Sequence, residues 1–259
     1  MSFAVGAGAY DRFMGRYSTP LAPVFAGLAG VEVGARVLDV GCGPGALTTE
    51  LARIARPEAV AAVDPSPAFV EAARERNPGV EVRHGSAESL PYADGAFDAA
   101  LAQLVVHFMP DPAVGLREMR RVTRAGGTVA ACVWDHAGGA GPLARFWEAA
   151  RGIDPAVEDE SRLPGARKGD LERLFVDAGA ARCRGAAALR RGRASELRRV
   201  VGAVHARCRP CRGVRDRARR RPARAVARAL PRALLVRPLR GPRGRVGGAR
   251  VGLSGTPPR

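Results

Sequence analysis

One short run holds residues whose types and spacing suit them to a polar ligand: Val37-Leu38-Asp39-Val40-Gly41-Cys42-Gly43-Pro44-Gly45. Its glycines carry no Cβ, so the backbone can turn sharply there and come close to a bound molecule. A second acid, Asp64, follows 19 residues after Gly45 and closes a run of apolar residues. An acid at the end of such a strand can accept two hydrogen bonds from the hydroxyls of a ribose. These residues can act together only if an α/β scaffold brings the glycine turn and Asp64 to the same edge of a sheet.

The rest of the chain predicts that scaffold. Arg36–Val40, Ala59–Val63, Val80–Arg83, Phe97–Ala102 and Thr128–Trp134 are short apolar runs bounded by turn residues, and read as buried strands. Helical patterns lie between or around them, at Ser18–Leu28, Ala46–Arg56, Pro112–Thr123, Gly141–Arg151 and Asp170–Ala178. Another begins at Pro67, with Ser66 as its N-cap, and ends near Asn77-Pro78-Gly79. Strands alternating with helices require right-handed crossovers and a parallel sheet covered on both faces. The fold class expected is α/β: a doubly wound, Rossmann-like, mostly parallel sheet with helices on both faces.

A glycine-rich turn alone is weak evidence, and GCGPGA also fits the dinucleotide fingerprint of nicotinamide-dependent dehydrogenases. Three features point away from that reading. Asp39 stands where dinucleotide folds usually carry an apolar residue. HGSAESLPYADGAFDAALAQLVVHFMPDP places polar groups after the third and fourth strands. No dehydrogenase acid/base site follows. The blocks VLDVGCGPG, AAVDPSPAFVEAAR, GSAESLPYADGAFDA and LREMRRVTRAGGTVAACVW together resemble the class I S-adenosylmethionine-dependent methyltransferases. Within them the chain is similar to the type 11 group, which includes ubiquinone and menaquinone C-methyltransferases, over about residues 10–180.

That resemblance implies S-adenosyl-L-methionine as cofactor and assigns roles by position. Gly41, Cys42, Gly43 and Gly45 would form the turn against the cofactor's methionine and ribose side, with Cys42 as a small residue in a tight bend. Asp39 would orient its amino group, directly or through water. Asp64, followed by Pro65, would hold the ribose diol. Ser86, Ala87 and Glu88 stand where the family packs and hydrogen-bonds the adenine, and many relatives carry Asp at the place of Ser86. Gln103 would meet the methionine moiety. His107 reads either as a general base for the acceptor or as a packed loop histidine. Tyr10, Arg16 and Tyr17 read either as a lid over the site or as plain packing. No metal is implied, and the expected partner is a small-molecule methyl acceptor.

Bulk properties narrow the class further. No run of 18 apolar residues occurs, so no membrane span is expected. MSFAVGAGAY lacks a basic start and a long apolar stretch, so it does not read as a signal peptide. Five cysteines in 259 residues form no disulfide pattern, and a reduced, cytoplasmic setting is expected. The net charge of +17 is unevenly spread. Residues 1–181 carry 18 Lys and Arg against 23 Asp and Glu, whereas residues 182–259 carry 24 against 2. Three segments follow: an N-terminal helix or lid over 1–35, a cofactor-binding domain over 36–181, and an Arg-rich tail over 182–259 expected to be disordered.

A basic tail could bind nucleic acid, which makes a nucleic-acid methyltransferase or binder the alternative function. Cys208-x-x-Cys211 with His205 nearby is a weak zinc signal. A shifted reading frame in GC-rich DNA explains the tail differently. Back-translated and read one base later, Ser195–Gly213 can encode ASFDELWEPFTLGVGPAG, which looks like the acceptor-side segment of this methyltransferase group. On that reading the sheet would lack its usual sixth and seventh strands, leaving the fifth as an exposed apolar edge. Sequencing the gene across codons 175–200 is expected to reveal a one-base insertion or deletion; a verified, unshifted frame would defeat the idea.

Overall fold

Val37, Leu38 and Val40 are all fully buried, as a strand in the middle of a two-sided sheet requires. The computed structural model describes residues 7–179, 183–186 and 200–207. Its strands are β1 (Val37–Val40), β2 (Val60–Asp64), β3 (Glu81–His84), β4 (Phe97–Gln103), β5 (Thr123–Trp134), β6 (Cys183–Ala186) and β7 (Val200–Arg207). Its helices are α1 (Ala7–Ala29), α2 (Ala46–Ala55), α3 (Pro67–Arg76), α4 (Pro112–Val122), α5 (Ala144–Ile153) and α6 (Asp170–Asp177). The sheet order is β3-β2-β1-β4-β5-β7-β6, and the first five strands are parallel.

Side chains alternate across this sheet. Leu38 and Val40 of β1 join Ala61 and Val63 of β2 and Val129, Ala131 and Val133 of β5 on one face, beneath α4 and α6. Val37, Leu101, Ala130 and Cys132 face the opposite way, beneath α1 and α2. Helix α4 shows why its sequence folds so. Asp111 caps it by accepting from the Val114 N–H at 3.0 Å, Pro112 supplies the first turn, and Leu116, Met119 and Val122 recur at the spacing of one helical face.

The structure departs from the sequence expectation at α1 and at β5. Helix α1 begins at Ala7 rather than near Ser18, with Pro20 and Pro23 inside it. Leu21, Ala22, Phe25, Ala26 and Ala29 bury one continuous stripe, and that packing outweighs the local cost of the prolines. The larger correction is at β5, for which the sequence predicts an exposed edge. Instead β7 pairs with it antiparallel, Thr128 opposite Arg207 and Trp134 opposite Val200, and β6 pairs antiparallel with β7. The free N–H and C=O groups of β5 can be satisfied by any extended backbone. Val200, Val201 and Val204 supply the β-branched residues that favour one. The rest of the expected disordered tail, with Cys208 and Cys211, lies outside the described residues.

The loop after β3 reaches the site and is fastened to α4 by Arg121. Its guanidinium donates to the carbonyls of Leu90 and Tyr92 at 3.0 and 2.9 Å and pairs with Glu118 and Asp94. Glu118 in turn accepts from the Leu90 N–H at 3.0 Å. Replacing Arg121 with Met leaves these carbonyls without their donor. Urea unfolding of Arg121→Met is expected to show a loss of ~1–3 kcal/mol; a midpoint equal to wild type would mean that the loop is held by other contacts.

Candidate cofactor site

The strand order reverses between β1 and β4, and a cleft of about 480 Å³ opens there, at the carboxyl ends of β1, β2 and β4. The turn after β1 forms its floor. The Val63 carbonyl accepts from the N–H groups of Gly41 and Cys42 at 2.8 and 3.1 Å, which curls the chain over the end of β2. Asp64 finishes the clamp. Its Oδ2 accepts from the Gly43 N–H and its Oδ1 from the Ser66 N–H, both at 2.8 Å.

Glycine is required in this turn for two separate reasons. Gly41 has φ +70°, and a Cβ there would lie 2.4 Å from Val105 Cγ2, so the wall of the cleft closes directly on the backbone. Gly45, at φ +90°, meets Asn77 Nδ2 and the Ala73 backbone instead. It packs α2 against α3 and does not line the cleft.

The predicted residues separate accordingly. Gly41, Gly43, Asp64, Pro65, Ser86, Ala87, Glu88 and Gln103 line the cleft, as does Tyr10. Ser86 donates its hydroxyl to Glu88, and Glu88 also accepts from the Asp111 N–H at 3.3 Å, so the two side chains form one tied turn. Gln103 donates its Nε2 to the Ser18 carbonyl at 3.1 Å, latching α1 to the end of β4, while its buried Oε1 has no partner among the described residues. Cys42 is buried below the turn, where burial pushes its thiol well above the usual range.

Asp39 lies beneath the turn, 1% exposed. Its Oδ2 accepts from Thr48 Oγ1 at 2.7 Å, and its Oδ1 has no partner among the described residues. Burial, helped by the charge of Asp64, pushes its pKa up to about 7 despite the Thr48 hydrogen bond. Asp64 is also raised by burial, against the lowering effect of the Ser66 and Gly43 N–H groups. Two carboxylates thus stand close together in a dry place, one with an unfilled acceptor. Such an arrangement is suited to a ligand bearing both a cationic donor and a diol.

Tyr10 is the part of the expected lid that reaches the cleft. Its ring lies 4.9 Å from that of Phe69, and burial beside Asp64 pushes its hydroxyl up to about 12. Tyr17 packs edge-on against Trp134 at 5.5 Å, and Arg16 is exposed and donates to the Arg12 carbonyl, so neither lines the site. His107 does not line the cleft either. It is 3% exposed, both ring nitrogens lack partners among the described residues, and burial drives its pKa to about 3.

Sequence reasoning missed the apolar walls: Phe69, Leu104, Val105, Phe108 and Met109. Leu104 has φ +61°, a region leucine seldom adopts, and its N–H donates to the Cys132 carbonyl at 2.9 Å. The sole signal in the sequence was the apolar run directly after Gln103.

Comparison with known proteins finds methyltransferases. Residues 38–131 match the family described as a methyltransferase domain. An uncharacterised methyltransferase from Mycobacterium tuberculosis is 38% identical over 135 residues, 52% of each chain. The 2-methyl-6-phytyl-1,4-hydroquinone methyltransferase 2 of Oryza sativa is 39% identical over 94 residues, 36% of this chain and 27% of that one. This chain therefore spans about half or less of these relatives' lengths. A SAM-dependent methyltransferase structure from Aquifex aeolicus shares the fold, with a TM-score of 0.54 at 20% identity over 78% of this chain and 98% of that one.

A carboxyl whose pKa is raised by folding contributes stability in acid and loses it as pH rises through the folded value. Asp39, ordinarily near 3.8 and here about 7, does so between those limits. Without added ligand, Asp39→Asn is therefore expected to overtake wild type in stability as the pH is raised from 4 to 8. Parallel urea melts check this, and a constant difference across that range would count against a buried, strained Asp39.

Proposed function

We propose that this chain, which carries a class I S-adenosylmethionine-type methyltransferase domain, transfers a methyl group from S-adenosyl-L-methionine to a small organic acceptor. The observation that carries the reading is the pairing of a glycine turn clamped by Asp64 with the unfilled, buried Oδ1 of Asp39. The residues present fit the cofactor. Asp39 would take its ammonium group and Asp64 its ribose diol, while the Ser86–Glu88 turn would border the adenine. The backbone after Gln103 would face the methionine portion. A cleft of about 480 Å³ lies in the range of nucleoside-sized ligands.

When bound, S-adenosyl-L-methionine supplies an electrophilic methyl group on a sulfonium. What remains for the protein is to align an acceptor in line with that group and to exclude water. Tyr10 and Phe69 close one side of the cleft and Phe108 and Met109 another, so a mainly apolar acceptor suits it. The rice relative's name specifies a hydroquinone, and a phenolic small molecule is the class we favour here. A nucleic-acid acceptor is the second reading, favoured by the 24 Lys and Arg after residue 181. It would show itself as RNA binding that weakens steeply with salt. Among the described residues no helix is long and apolar enough to cross a membrane.

Calorimetric titration with S-adenosyl-L-homocysteine tests the site. Asp64→Asn and Asp39→Asn are each expected to cost ~1–3 kcal/mol of binding, since each substitution removes a charged partner from buried donors. Affinity should rise with pH through about 7, because the cationic amino group favours ionised Asp39. Wild-type affinity in both variants would remove the basis of the assignment.

A further inference from the structure

Three buried imidazole nitrogens have no hydrogen-bond partner among the described residues: both of His107 and Nε2 of His136. Buried polar atoms are paired in the great majority of cases, so such a cluster calls for an explanation. The two rings stand edge to face with centroids 5.4 Å apart. His107 follows β4 and His136 follows β5, so both lie at the carboxyl edge of the sheet; neither lines the cleft, and His136 lines a small separate pocket with Trp147 and Glu160. Phe108, whose ring is 4.2 Å from that of His107, belongs to the cleft wall.

His136 is held in one pose. Its side chain is 5% exposed and its Nδ1 lies 3.3 Å from Glu160 Oε2. Glu160 is itself fixed by the Trp147 Nε1–H, which donates to it at 3.1 Å. A Cβ at Gly141 would fall 2.4 Å from His136 Nδ1, so the ring occupies space that only glycine leaves open. The connecting loop is tied as well: Asp135 Oδ1 accepts from the Gly138 N–H at 2.7 Å, and the Asp135 carbonyl from the Ala140 N–H at 2.8 Å. A carboxylate on Nδ1 fixes the proton there and leaves Nε2 with a lone pair.

We propose that His136, positioned by Glu160, accepts the proton of an aromatic hydroxyl acceptor bound at the ends of β4 and β5. This rests on the methyl-transfer reading above. As the acceptor oxygen bonds to the methyl carbon, the methyl–sulfur bond breaks and its electron pair stays on sulfur as a thioether. The hydroxyl proton passes to His136 Nε2. The positive charge thereby moves from the sulfonium to an imidazolium beside the Glu160 carboxylate. The groups facing His136 are Glu160, Asp159 and Asp135, all of which favour its protonation, and neutral His107. Burial outweighs the carboxylates and lowers its pKa, keeping the ring a free base at neutral pH, while Asp159 is partly neutralised by Arg151.

A chromogenic phenol, 4-nitrophenol, tests the proposal on the full chain saturated with S-adenosyl-L-homocysteine. In wild type the bound probe is expected to ionise about one pH unit below the free probe, read by nitrophenolate absorbance. His136→Gln should bind the probe and lose that shift, and Glu160→Gln, which can still accept from Trp147, should reduce it. Ionisation at the free probe's pH in wild type overturns the base. Failure of the probe to bind while S-adenosyl-L-homocysteine binds overturns the phenolic acceptor. Failure of S-adenosyl-L-homocysteine to bind instead brings down the methyl-transfer reading beneath it. If His136→Gln does not fold, nitrogen NMR of wild type decides: His136 should carry its proton on Nδ1 and its Nε2 signal should move when the probe is added, and a stationary signal overturns the assignment.

Discussion

The site depends on how the end of β2 holds the turn after β1. One carbonyl, Val63 O, takes two N–H groups of that turn, and one carboxylate, Asp64, takes a third. This works only because β1 and β2 are parallel and in register, Val40 opposite Val63, so that both strands finish at the same level. Each backbone donor bound in this way is one that would otherwise be buried without a partner. The clamp also explains why the turn is glycine-rich, since Gly41 must pass under Val105 while presenting its N–H to β2. Two further elements complete the cleft around this turn. Helix α1 lays Tyr10 over it, and the Arg121 network brings the Ser86–Glu88 turn against its far side.

The same clamp creates an electrostatic conflict. Asp64 gains partial compensation from two N–H donors, but Asp39 behind it is served by Thr48 alone and has almost no contact with water. The charge of Asp64 makes the ionisation of Asp39 harder, and burial does more than that charge. An unligated carboxyl in this position costs stability once it ionises. Its presence as a strained acid is understandable if a cation completes the site, because the ligand then supplies the charge that the fold withholds.

Much of this was legible in the sequence because the governing patterns are local. Continuous apolar runs mark the five parallel strands, although β5 starts several residues earlier than its apolar run, at Thr123. The glycines and the two acids are specific signals packed into 26 positions from Asp39 to Asp64. What escaped was long-range. Nothing local distinguishes Gly45, which accommodates α3, from Gly41, which accommodates the cleft wall. Tyr17 lies seven residues beyond Tyr10, on nearly the same face of α1 but about two turns further along, where it meets Trp134 instead of the cleft, and a lid drawn from sequence could not place that neighbour. The β5 edge was misjudged because arginine dominates the segment after it, while the short valine-rich stretch that pairs there carries too few residues to shift a compositional reading.

The unpaired polar atoms behind the cleft and along the sheet's carboxyl edge fall into two groups of opposite chemistry. On the β1 side the orphan is Asp39 Oδ1, an acceptor in a cluster of acids, which favours positive charge. On the β4–β5 side the orphans are imidazole nitrogens that burial keeps neutral, which oppose any standing charge yet can receive a proton during reaction. Methyl transfer from a sulfonium to a hydroxyl needs both conditions: a cation held firmly before the reaction, and a place for one positive charge to go afterwards. A fold that merely bound a nucleoside would need only the first. The second set, with Glu160 already placed behind His136, is the part of the structure that favours chemistry over binding alone.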